Sequence, residues 1–251
     1  MTIHSIAARR PNRTRAMAHI AAANKRMWWR PNSDDLHLNI HGWIGESEFS
    51  GQSVSALAVE AVLSTNENAG RVFVHLNSMG GRVAAAERII AAIRNHRGFV
   101  TVEAHEWCAS AAIGIMLAAD FRCAYADTKF LVHTASVSPR AGERWTARRH
   151  ARVAQSLSET NAFLAAMYAE QTGRSVELFE QEMQNEQDMG VEKARLMGLI
   201  HVVSGEETWR DGRPLYEEVC LRSAQRKLRQ FAAQSAITMA RSGEAPPLIG
   251  L

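Results

Sequence analysis

The chain has 251 residues, 46% of them hydrophobic and 22% charged, with a formal net charge of +3. These values exclude a disordered, collagenous or disulfide-scaffold protein, and so small a charge gives no argument for specific nucleic-acid binding. A chain of this length can bury a core without a disulfide or metal staple.

Residues 1–33 contain no Asp or Glu but hold Arg9, Arg10, Arg13, Arg15, Lys25, Arg26 and Arg30. They read as a basic N-terminal extension, either a solvated arm or a partner-binding or removable segment. Within it, Ala16 to Asn24 is rich enough in alanine to be helical. Leu36 to Ile40 then alternates apolar and polar side chains, as a half-buried strand does. Ser53 to Leu63 has helical spacing. Val72 to Leu76 is a short apolar strand running into Asn77-Ser78-Met79-Gly80-Gly81, a tight loop. Val83 to Ile93 is helical and Phe99 to Val102 a β-branched strand. Ala109 to Ala119 is small and apolar throughout, a buried helix. Arg122 to Tyr125 and Phe130 to His133 are two short strands. Long helical stretches cover Arg144 to Thr172 and Val176 to Asn185, and a helix-strand unit ends in Leu199 to Val203. From Pro214 an alanine-rich run with Arg222, Arg226, Lys227 and Arg229 favours helix before Gly243 to Pro247 break it. Strands separated by helices argue an α/β fold with a largely parallel sheet.

Cys108, Cys123 and Cys220 share no CxxC spacing, and although His105 lies close before Cys108, no second ligand pair follows. No zinc site is therefore expected. An odd cysteine count fits a reducing compartment, and the expected location is cytoplasmic. No apolar run reaches the roughly 18 residues of a membrane-spanning helix.

In open α/β sheets, chemistry gathers where strands run out into loops. Gly80-Gly81 can present N–H groups to an anion, or simply make a turn. Ser110, among the small residues of Cys108-Ala109-Ser110-Ala111-Ala112, is either a helix N-cap or a nucleophile at a strand-to-helix turn. His133, at the end of an apolar strand, is either structural or a general base.

Taken together in this chain order, these segments resemble the ClpP-like serine peptidases. Asn77-Ser78-Met79-Gly80-Gly81 is similar to their N-S-P-G-G turn, Cys108 to Ala112 to their A-A-S-[MA]-[GA] nucleophile motif, and Leu131-Val132-His133 to their M-I-H strand. Met183 to Val203, with Glu192-Lys193-Ala194 and Gly198-Leu199-Ile200, resembles the stretch that holds the third triad member. The similarity runs from about Leu36 to Val203. The short interval from Ser110 to His133 and the Trp28-Trp29 pair are more like the phage and prophage branch of that family.

The resemblance implies a ClpP/crotonase-type spiral of ββα units with largely parallel sheets and helical extensions. It divides the chain into a basic extension (1–33), a ClpP-like catalytic domain (34–205), and a basic helical extension with a tail (206–251). It implies a serine endopeptidase that needs no metal or cofactor and acts on polypeptides inside a homo-oligomeric ring fed by an ATP-dependent unfoldase. Ser110 is the implied nucleophile and His133 the base. The backbone N–H groups of Gly81 and Ala111 form the implied oxyanion hole. Glu186 is the favoured third member and Asp188 its rival. Three positions depart from the family pattern: Met79 replaces the proline of the turn, Glu106-Trp107 replaces a glycine-led stretch, and Thr134-Ala135 stands where Gln/Asn-Pro is common. A second resemblance, over Leu117 to Ala124 and Lys129-Phe130, is to the crotonases, which bind acyl-CoA. A non-catalytic scaffold or regulatory subunit is a further alternative. Ser136 to Arg149, with Arg140, Arg144, Arg148 and Arg149, reads as a mobile loop beside the site or as a solvated helix start.

Overall fold

The computed structural model describes residues 35–46, 53–139, 142–206, 209–210, 213–214, 219, 225 and 227. The basic arm and most of the C-terminal run expected to be helical lie outside the described residues. The chain divides into two compact units, Met1–Glu207 and Thr208–Leu251.

In the first unit, β1 (Leu36–His41), β4 (Arg71–Ser78), β5 (Phe99–Ala109), β6 (Phe121–Ala124) and β8 (Val202–Val203) lie side by side in that order. A sixth strand, β7 (Lys129–Leu131), pairs with β5, and every pairing in the sheet is parallel. A separate pair, β2 (Trp43–Ile44) and β3 (Ser53–Val54), is also parallel. Helices connect the strands: α1 (Ala56–Thr65), α2 (Val83–Asn95), α3 (Ala111–Leu117), α4 (Ala147–Thr172), α5 (Val176–Asn185) and α6 (Val191–Leu196). None of the described helices is long and apolar enough to cross a membrane. In the second unit, β9 (Trp209–Arg210) and β10 (Arg213–Pro214) form an antiparallel pair, and Val219, Gln225 and Lys227 are helical.

Period-two alternation sorts the sheet into two faces. Leu38 and Ile40, Val72, Val74 and Leu76, and Val100, Val102 and Ala104 are buried in the main core with the helices. Ile89, Ile90 and Ile93 on α2 join them at helical spacing. Each such buried isoleucine contributes about 1.5–3 kcal/mol. The alternate residues point the other way and are mostly polar: His37, Asn39 and His41 on β1, His75 on β4, Thr101, Glu103 and His105 on β5, with Phe73 on β4 stacked against His37 among them.

The strand expected over Phe99 to Val102 extends to Ala109, well past the apolar stretch. The β4–β5 register explains how. Leu76 faces Ala104 and Ser78 faces Cys108, so β4 advances two residues while β5 advances four. The extra residues form a bulge with Glu106 at φ 46°. Before the bulge β5 pairs with β6, and after it with β7. The helix expected from Ser53 starts at Ala56, because Ser53 and Val54 pair with β2. The strand expected to end at His133 stops at Leu131, so His133 stands beyond the ladder.

Candidate active site

The turn after β4 is pinned by its own side chains. Ser78 Oγ donates to the Gly42 carbonyl at 2.6 Å and accepts from the Gly80 N–H at 3.0 Å. Asn77 closes the bulge: its Nδ2 donates to Glu106 Oε2 at 2.9 Å, and its Oδ1 accepts from the Trp107 N–H at 3.3 Å. The carboxylate in the stretch where the family has a glycine is thereby held by Asn77, and Glu106 is exposed. Met79, at the family's proline position, is also exposed.

Gly80 has φ +99°, and a β-carbon built on it would lie 2.5 Å from Ser110 Cβ and 3.0 Å from the Ala111 nitrogen. Only glycine allows both the dihedral and the approach. Gly81 is tied to β2 on both sides: Ile44 N–H donates to the Gly80 carbonyl at 2.9 Å, and Arg82 N–H donates to the Ile44 carbonyl at 2.8 Å. The Gly81 N–H itself meets no backbone acceptor among the described residues.

Ser110 occupies the junction of β5 and α3 with φ 56° and ψ −126°. Such a backbone is rare for a residue with a side chain and is held only by its surroundings. Here Ser110 N–H donates to the Leu131 carbonyl at 2.8 Å, and Gly80 packs against its β-carbon. Ser110 occupies the N-cap position, yet its hydroxyl caps nothing and makes no hydrogen bond among the described residues. Ala111 is the first residue of α3, where the N–H has no partner within the helix. Ser110, Gly81, Ala111 and His133 are all half-buried.

The segment beyond β7 is anchored at several points. Phe130 and Met189 exchange two backbone hydrogen bonds of 2.8 Å. Thr134 Oγ1 donates to Glu186 Oε1 at 2.8 Å, and Ala135 N–H donates to Asn161 Oδ1 on α4 at 2.7 Å. The two departures from the family pattern therefore have partners of their own, and a proline at position 135 would lack the donor that Asn161 accepts. Sequence reading missed Asn161 and the Thr134 tether, since neither belongs to a local pattern. Glu186 takes the left-handed conformation (φ 50°, ψ 38°) at the end of α5. Asp188 pairs with Lys129 at 3.4 Å, both about half exposed. Among the described residues, His133 makes no hydrogen bond to Ser110 and no ion pair with Glu186 or Asp188. Glu106, Ser110 and Glu186 are the non-glycine residues with positive φ among those described. Strained backbone of this kind collects at functional sites.

The stretch before α4 is a capped helix start: Thr146 Oγ1 accepts from Arg149 N–H at 3.3 Å, Arg149 pairs with Glu143 at 2.7 Å, and its guanidinium lies over the Trp145 ring.

A family profile described as Clp protease matches residues 46–207. The chain belongs to the Clp protease family. A curated relative, the ATP-dependent Clp protease proteolytic subunit of Pleurastrum terricola, is 26% identical over 153 residues, covering 60% of this chain and 76% of that protein. Among solved structures, a point mutant of ClpP1 from Listeria monocytogenes superposes with a TM-score of 0.56 at 22% identity, covering 78% of this chain and 98% of that one. That likeness is one of fold, and it agrees with the parallel sheet and its helices. The family match spans the Asn77–Gly81 turn, the Ser110 junction and His133, and a ClpP-like peptidase is the activity class of the family.

Proposed function

We propose that this chain is a serine endopeptidase that cleaves polypeptides inside a homo-oligomeric ring. The observation that carries the reading is Ser110: a strained backbone at a strand-to-helix junction, with a hydroxyl that caps nothing and stays free to react. In the proposed reaction Ser110 Oγ attacks the scissile carbonyl while His133 takes its proton. The Gly81 and Ala111 N–H groups receive the oxyanion of the tetrahedral intermediate. His133 returns the proton to the departing amine, and water, activated by the same imidazole, releases the acyl group from Ser110. Glu186, tethered to Thr134 next to His133, is the proposed third member. The hydrogen bond from Ser110 to His133 forms when substrate or neighbouring subunits complete the site, since catalytic hydrogen bonds are often loose before substrate binds. The name of the curated relative supports an ATP-dependent unfoldase as the partner that delivers substrate.

The absence of a hydrogen bond between Ser110 and His133 among the described residues favours a second reading, a non-catalytic ring subunit. Labelling of the assembled protein with a fluorophosphonate separates the two. The peptidase reading expects one labelled serine per chain, lost in Ser110→Ala. No labelling of an assembled ring, or labelling at another serine, would sink it.

A further inference from the structure

On the polar face of the sheet, apart from Ser110, three side chains converge. His75 on β4 is the direct register partner of Glu103 on β5, and His105 follows two residues along the same strand. His75 Nδ1 and His105 Nε2 each lie 3.5 Å from Glu103 Oε2, and the three atoms fall within 4.8 Å of one another. We propose that His75, Glu103 and His105 form a binding site for a divalent transition-metal cation of the zinc type.

The distances favour a cation over mutual hydrogen bonding. At 3.5 Å both contacts exceed the usual N–H···O range of about 2.7–3.2 Å. They match instead the edge of a ligand tetrahedron, about 3.4 Å for bonds of about 2.0–2.1 Å to the metal. The buried Nε2 of His105 has no hydrogen-bond partner, a cost that structures seldom carry without a reason. The donors are imidazole and carboxylate, which suit zinc and its neighbours.

The surroundings orient the donors as outer-shell groups do. Glu103 is only 8% exposed. Its Oε1 accepts from Ser204 Oγ at 2.7 Å, leaving Oε2 to face the two imidazoles. The other nitrogen of His75, Nε2, shares a hydrogen bond of 3.1 Å with His37 Nδ1. The Tyr125 ring packs on His105 at 4.6 Å. Three protein ligands leave a fourth position for water on the half-exposed sheet face. A bound cation would brace β4 to β5 at the root of the bulge that leads to Ser110. Sequence spacing paired His105 with Cys108; the sheet instead pairs it with residues of its own face.

The test uses the full-length, tag-free chain, stripped with a chelator and titrated with Zn²⁺ against a chromophoric competitor. The expected result is one high-affinity ion per chain and a higher Tm with Zn²⁺. Glu103→Gln, His75→Asn and His105→Phe (which keeps a ring against Tyr125) should each weaken binding by more than about 100-fold, and Ser204→Ala by about 10-fold. His150→Ala and Ser110→Ala should bind as the parent does, so the result stands apart from the peptidase reading. Melting curves of the metal-free variants identify any that fail to fold. Absence of stoichiometric binding in the parent, or equal binding in the folded Glu103→Gln and His75→Asn variants, overturns the proposal.

Discussion

Gly80 lies so close to Ser110 that a β-carbon added to it would stand 2.5 Å from the serine's own. The turn after β4 therefore sets the position of the candidate nucleophile, although about thirty residues of chain separate them. Gly80→Ala must shift Ser110, Ala111 or the turn, and its φ of +99° adds strain. Displacement of reacting groups by about 1 Å costs about 100-fold in rate. Peptidase activity and fluorophosphonate labelling of Gly80→Ala should both fall by about that factor. Gly70→Ala, where a β-carbon meets nothing within 4 Å, is the control. Unchanged labelling of Gly80→Ala would show that the turn does not position the serine.

Glu186 and Asp188 compete for one role, and their partners give the means to separate them. Glu186 is drawn to Thr134, the residue after His133, whereas Asp188 is drawn outward to Lys129. If Glu186 orients the imidazole, Glu186→Gln should lower kcat by about 10⁴-fold. Thr134→Val, which frees the carboxylate without removing it, should give a smaller loss. Asp188→Asn breaks an exposed pair worth about 0–1 kcal/mol and should leave kcat near that of the parent. The opposite ranking of the two acid variants assigns the role to Asp188.

The sheet was legible because its core strands obey simple alternation. Leu38-Asn39-Ile40 and Val72 to Leu76 announce their buried face directly, as does the apolar stripe of α2. The second half of β5 was not legible: His105-Glu106-Trp107 breaks the alternation, and only the Asn77 side chain shows that the break is a bulge within a continuing strand. Likewise His133 follows an apolar run, but the partner strand ends at Ala109, so pairing stops at Leu131. At the site, the Gly80-Gly81 turn and Ser110 were visible because they are local patterns that demand special backbone. The Thr134–Glu186 and Ala135–Asn161 bonds and the His75–Glu103–His105 group were not. Each joins elements that are distant in sequence, and only strand register or helix packing brings them together.

Ala135 offers a direct test of how this chain has adapted the segment after His133. Its N–H donates to Asn161 Oδ1, an acceptor that α4 supplies. Ala135→Pro removes the donor, and Asn161→Ala removes the acceptor. Each should cost about 1 kcal/mol, the usual worth of such a bond. Because both changes break the same contact, the double variant should lose less than the sum, with a coupling of about 0.5–1 kcal/mol. Denaturant unfolding of the four proteins measures it. Strict additivity would mean that the two groups do not support each other in solution.

Cys108 lies two residues before Ser110, so its chemistry bears on what any covalent reagent reports. It and Cys123 are buried, and Cys123 also lies near the Glu103 carboxylate. Burial pushes both thiols above their ordinary pKa, and for Cys123 the negative charge of Glu103 adds to the shift. A thiol kept protonated and out of solvent is a poor nucleophile, because the thiolate is the reacting species. In a Cys220→Ser background, a disulfide reagent such as DTNB should find no reactive thiol at neutral pH in the native protein and should find both Cys108 and Cys123 once denaturant unfolds it. The same native protein should keep its peptidase activity after exposure to the reagent. Rapid modification of Cys108 in the folded state would mean that the β5–α3 junction opens readily. It would also remove the physical basis for a strained serine held in place by its surroundings, since a backbone at φ 56° persists only where neighbouring strands and turns leave it no alternative.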